Sequence, residues 1–176
     1  LQAVEDNNTS LLAGIGSAIA WIFYPLGWTG DMAWKAAVAS FTALTAKETV
    51  VGTFGVLYQY AGELSETGYE IWPLVAPDFA TLTAYSFMLF NLLCAPCFAA
   101  MGAIKREMNN PRWTAFAIGY MCVFAYVVSL IVYQIGGLIT GAASFSIWTV
   151  VAVVLLAGLI YLLLRQGHIY KIASRR

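Results

Sequence analysis

The chain has 176 residues, 61% hydrophobic and only 10% charged, with nine basic and nine acidic side chains that cancel. A soluble domain carries roughly a quarter charged residues, so the composition excludes an ordinary water-soluble core and predicts an all-α, polytopic integral membrane protein. Zero net charge argues against a nucleic-acid partner, and three cysteines, two of them in the apolar "CAPC" at 94–97, do not make a secreted disulfide framework.

Residues 1–28 read as a linker followed by a short apolar helix. The chain opens on Leu1 with no basic leader or cleavage site, as a piece of a longer protein would. "DNNTS" offers helix caps, and Leu11–Tyr24 follows, ending at Pro25. Its bulky residues (Leu11, Leu12, Ile15, Ile19, Ile22, Phe23) share one face, with Gly14, Ser17 and Trp21 on the other. A bilayer crossing needs about 20 apolar residues. This stretch is shorter, so it reads as an interfacial or re-entrant helix, or else as a short spanning one. Residues 29–135 form a gate-like membrane domain with predicted spans Trp34–Tyr58, Phe79–Ile104 and Trp113–Ile135. Residues 136–165 hold a last span, Phe145–Leu164, and 166–176 form a basic tail. Aromatic residues (Trp34, Tyr58, Trp113, Trp148) mark span ends, where they suit the water–lipid boundary.

Basic residues orient the spans. The loop 61–78 holds Glu63, Glu66, Glu70 and Asp78 and no Lys or Arg. Lys105, Arg106 and Arg112 follow the second span, and Arg165, Lys171, Arg175 and Arg176 follow the last. With Lys35 opening the first of four alternating helices, eight of the nine basic residues fall on one side. That side is expected to be the cytoplasm, with the C-terminus in it.

Lys47 and Glu48 interrupt the apolar run of the first predicted span. They lie about 20 Å past Trp34 at ~1.5 Å per residue, near the bilayer centre, where each charge costs on the order of 3 kcal/mol. Both must therefore face protein or a wet cavity. Glu48 shares a face with Thr45, Thr49 and Gly52, as a solute path would need. Lys47 shares one with Ser40, Ala43 and Val51, which suits contact with another helix. Two readings stand: both charges are structural, or Glu48 lines a permeation path and Lys47 is structural.

The second irregularity is Pro96, in "FNLLCAPCFAAMGAIKRE" at 90–107. Its ring nitrogen cannot donate to the Leu92 carbonyl, so the helix is predicted to kink or break there. Backbone groups freed in this way persist in a membrane only where protein or water satisfies them, and such breaks build ion sites in transporters. Counted back from Lys105, Asn91 falls at the depth of Glu48, and Cys94 and Cys97 fall in one layer with Cys122. Cys thiolates, Glu and amide oxygens together would suit ferrous iron. The alternatives are that Cys is a common small buried residue and that an isolated Asn bridges helices. The candidate metal-contacting set is Cys97, Cys94, Glu48 and Asn91, with Pro96 and Lys47 as gate or structural residues.

At these stretches the sequence resembles the ferrous-iron transporter B family (FeoB). "TAKETVVGTFGVLY" (45–58) is similar to that family's Ala-Lys-Glu helix, "APCFAAMGAIKRE" (95–107) to its second gate motif, and "FYPLGW" (23–28) to the segment preceding the first. The resemblance covers most of residues 10–135. Ala100 stands where the family usually has Thr, so no hydroxyl role carries over there. The resemblance implies Cys97 and Pro96 as gate residues, Glu48 as the charged helix position, and Fe2+ as the transported ion in a bacterial cytoplasmic (inner) membrane. The implied partners are the lipid bilayer, an N-terminal GTPase domain and a first gate repeat; a homo-oligomer is compatible with it. This chain has no G-x-x-x-x-G-K-[ST] phosphate loop, so GTP is not expected to bind it, no permanently bound cofactor is expected, and no enzyme is read from it. The competing functions are a nucleoside-type solute carrier and a non-transporting membrane assembly module.

Overall fold

The computed structural model describes residues 11–65, 67–141 and 145–173. Among them are eight α-helices and no strand: α1 (Leu11–Ala20), α2 (Asp31–Thr42), α3 (Thr49–Leu57), α4 (Trp72–Val75), α5 (Thr81–Leu93), α6 (Phe98–Met108), α7 (Pro111–Thr140) and α8 (Ile147–Ala173), with a 3-10 helix at Trp21–Leu26 after α1. Three segments are long and apolar enough to cross a membrane: Thr81–Met108, which joins α5 to α6, Pro111–Thr140 and Ile147–Arg165. Their large apolar side chains (Phe116, Ile139, Leu163 and Leu164 among them) point outward and exposed, as lipid-facing residues do. The protein is an all-α integral membrane protein.

α7 is the spine of the bundle, packing against α5, α6, α8 and the 3-10 helix. α5 and α7 lie close enough that a side chain on Gly136 would press on Leu82. Pro111 starts α7 where its missing N–H costs nothing, and the Asn110 side chain accepts from the Arg112 N–H. The core is aromatic. Phe23 stacks on Trp28 at 4.5 Å, and Phe90 meets Phe23 and Trp28 edge-on at 5.1 and 5.7 Å. Phe54 and Phe79 extend the cluster through Phe87; such pairs add to simple area burial.

The "FYPLGW" turn is pinned to this spine by its backbone. Tyr126 donates to the Ile22 carbonyl at 2.7 Å, and Gln134 Nε2 to the Pro25 carbonyl at 2.7 Å. Thr149 at the start of α8 donates to Gln134 Oε1 at 3.1 Å. Gly27 sits at φ +82°, and a Cβ there would strike the Tyr133 ring, so only glycine fits both the conformation and the space.

α1 inverts the soluble-protein pattern. Ala13, Gly16 and Ala20 face inward, while Ile15 and Ile19 are exposed. Gly16 lies against the Trp34 backbone and Val38 of α2. Small residues let helix backbones approach where lipid removes any reward for burying bulk. Ile15, Ile19 and Ile22 of the predicted bulky face therefore look outward while Phe23 turns into the core, and the packing face is Ala13, Gly16 and Ala20 rather than Gly14, Ser17 and Trp21, which are exposed.

The predicted first span, Trp34–Tyr58, is not one helix. α2 and α3 pack against each other on either side of a break at 43–48. Lys35 Nζ lies 4.0 Å over the Tyr58 ring and 3.8 Å from Asp78, and the Tyr58 hydroxyl donates to Asp78 at 2.7 Å. One continuous helix would hold Lys35 and Tyr58 about 35 Å apart. Thr42 and Thr53, across the break, share a hydroxyl hydrogen bond at 3.0 Å. Residues 31–57 thus form a helical hairpin that doubles back on itself, and Lys35 lies beside Asp78 of the acidic loop. The break has a local cause. Thr42, Thr49 and Thr53 hydroxyls each bond a backbone carbonyl (Ala39, Ala46 and Thr49, at 2.9, 2.7 and 2.9 Å), offering the chain an alternative to the helical ladder. A Lys35→Cys, Tyr58→Cys pair should be joined by a bis-maleimide reaching about 10 Å, a span far short of a continuous helix; no cross-link on a denaturing gel after proteolysis between the sites would restore the single span.

Candidate functional site

The break in α5–α6 is built as the proline dictates. Cys94 ends α5 in an extended conformation (ψ 173°), and Cys97, also extended (ψ 159°), opens α6. Pro96 removes the N–H that the Leu92 carbonyl would receive. Lys47 supplies the replacement: its Nζ donates to Leu92 O at 3.2 Å. The hairpin break has the converse need, and α6 meets it. The Phe98 N–H, first of the unpaired donors at that helix start, donates to the Leu44 carbonyl at 3.0 Å. Two interrupted helices therefore cross and complete each other's backbones. Asn91 adds a third tie, with Nδ2 on Ser40 Oγ at 3.1 Å and on the Phe87 carbonyl at 2.9 Å.

Each sequence-predicted residue has a definite place here. Lys47 is a backbone staple. Asn91 spends its amide N–H groups on α2 and its own helix, leaving Oδ1 without a hydrogen bond among the described residues. Glu48 is exposed, precedes α3, and takes no hydrogen bond or ion pair among the described residues. Cys97 precedes α6. Glu48 and Cys97 thus occupy equivalent positions, each at the N-terminus of a half-helix, where the helix dipole favours negative charge. Cys94 turns away from this pair and meets Cys122 of α7 at 3.6 Å between sulfurs. Among the described residues no three of His, Cys, Asp and Glu come together to hold a metal ion.

Beside the crossing is a cavity of about 250 Å³ lined by Ala43, Lys47, Val50, Phe87, Met88, Asn91 and Leu92. The Lys47 side chain is part of its lining. The residue that sequence reasoning missed is Ser40. Its signal was a hydroxyl on the same predicted face as Lys47.

The mutual completion predicts energetic coupling. Lys47→Met should destabilise the protein by about 1–3 kcal/mol, the cost of an orphaned carbonyl and a lost charged donor. Pro96→Ala, which returns a backbone N–H near Leu92, should recover part of that loss. A double-mutant cycle on unfolding in detergent measures the coupling, expected above about 0.5 kcal/mol.

Residues 6–111, more than half of the chain, match the family model described as Gate: nucleoside recognition. Among curated proteins the chain is similar to the Fe(2+) transporter FeoB of Methanocaldococcus jannaschii, 37% identical over 131 residues, 74% of this chain and 18% of that protein. It is similar to those of Staphylococcus aureus (34%; 74% of this chain, 18% of that protein) and Campylobacter jejuni (32%; 74% and 20%). The chain thus spans about a fifth of the length of the curated relatives it matches. No solved structure matches it. The matched region contains both breaks and the turn that anchors the hairpin, and on this match and these relatives the chain belongs to the FeoB family, as part of its membrane gate region.

Proposed function

We propose that this chain is part of the membrane path of a ferrous-iron transporter, and that Fe2+ passes at the crossing of the two broken helices. The observation that carries the reading is the crossing itself: two mid-membrane breaks that satisfy each other's backbones while leaving Glu48, Cys97 and the Asn91 carbonyl oxygen uncommitted. Discontinuous helices at mid-membrane are the usual way to place backbone and side-chain donors around a passing ion. A thiol, a carboxylate and an amide oxygen form a mixed soft and hard donor set that suits Fe2+. They do not close into one cage, and transport needs binding weak enough to release. Lys47 holds the α5 end in place. Cys94 lies outside this path, against Cys122.

The relatives are named for Fe(2+) transport, which favours the ion over a nucleoside. In a larger parent protein the GTPase domain and first gate repeat would lie outside this chain. The basic residues Lys105, Arg106, Arg112 and Arg165 follow the ends of the crossing segments opposite the acidic loop, which orients that end, and the C-terminus with it, to the cytoplasmic face of the inner membrane.

In the full-length transporter, Cys97→Ser and Glu48→Gln should each lower the initial rate of ferrous uptake by at least about tenfold, the scale on which metal sites lose affinity when their supporting groups are removed. Protein levels in the membrane should hold. Uptake of radiolabelled iron in cells checks this, with excess nucleoside as competitor. Unchanged uptake in both variants, or competition by nucleoside, would take these residues or the ion out of the proposal.

A further inference from the structure

The chain carries a second cysteine feature that ion passage does not use. A C-x-x-C motif ordinarily suggests a disulfide within itself, Cys94 to Cys97. Here Cys94 closes α5 and Cys97 opens α6, on either side of Ala95 and Pro96, and the sulfur contact that Cys94 makes among the described residues is not with Cys97. The near neighbour of Cys94 is instead Cys122, one helix away on α7, with sulfurs 3.6 Å apart. Closing that gap to a bond of about 2.05 Å takes a movement of about 1.5 Å, within reach of a side-chain rotation. Both thiols are free and half-buried. With no third ligand among the described residues, the pair suits mutual bonding better than metal binding.

We propose that Cys94 and Cys122 are a redox modification site: a peroxide joins them into a disulfide that clamps the broken end of α5 to α7. One sulfur attacks the peroxide O–O bond, giving a sulfenic acid and one water. The second thiol's sulfur then attacks the sulfenic sulfur, and its hydroxyl leaves with the thiol proton as a second water. Two thiols are oxidised by two electrons in all, and one hydrogen peroxide is reduced to two waters. Hydrogen peroxide is small and uncharged and can reach half-buried thiols. The clamp forms two residues from the Leu92 carbonyl that Lys47 holds, so it ties the crossing to the rigid spine. Its effect on uptake rests on the ferrous-transport reading above.

The full-length protein in isolated membranes is treated with hydrogen peroxide, alkylated, digested and analysed by mass spectrometry. The expected product is a Cys94–Cys122 linked peptide in the wild type and in Cys97→Ser, absent in Cys122→Ser and reversed by dithiothreitol. A Cys94–Cys97 link, or alkylation of Cys94 and Cys122 equal to that in untreated membranes, overturns the proposal. In the uptake assay, peroxide should slow the wild type several-fold, reversibly, and spare Cys122→Ser. Equal loss in both overturns the clamp. Absence of iron uptake before any oxidation counts against the transport reading alone, since the linked peptide is scored without transport.

Discussion

A membrane interior offers no water to an unpaired peptide group, and the fold turns on that constraint. Interrupting one helix at mid-membrane leaves backbone groups that cost several kcal/mol each. This chain interrupts two and sets them against each other. The Leu92 carbonyl freed by Pro96 takes the Lys47 ammonium, and the Leu44 carbonyl of the hairpin break takes the Phe98 amide. The aromatic core, the turn pinned by Tyr126 and Gln134, and the Lys35–Asp78–Tyr58 contact at the water-facing end all serve to hold the two breaks in register.

The arrangement also accounts for two charged residues in an apolar run. Lys47 is a donor with a long reach, placed where no backbone donor is available. Glu48, its neighbour, has no such duty. Adjacent residues at a hairpin tip point in different directions, so one charge can be structural while the other stays available. Membership of the FeoB family gives this division its context.

Much of this was legible in the sequence, and the limits were physical. Pro96 announced its break because a missing N–H is a local fact, and the same reasoning named Leu92 as the orphaned carbonyl. Its partner lay 45 residues away, beyond any local rule. The hairpin was read as one span because residues 34–58 hold no proline and hydropathy averages over a window without sensing a reversal of direction. The threonines at 42, 49 and 53 were the available signal, since hydroxyls that compete for backbone carbonyls weaken a helix. Grouping Lys35 with Lys105 rested on that single span, whereas Lys35 lies beside Asp78. The three cysteines were expected at one depth, yet depth fixes only one coordinate of three. Helix rotation sent Cys94 towards α7 and left Cys97 at the start of α6.

The returning path of residues 31–57 bears on how the polypeptide is threaded into the bilayer. A segment whose two ends emerge on one side contributes nothing to the parity of crossings. The sidedness of the helices that follow is therefore independent of whether the hairpin has yet inserted. A copy with the hairpin unseated would therefore keep the same orientation in its long helices.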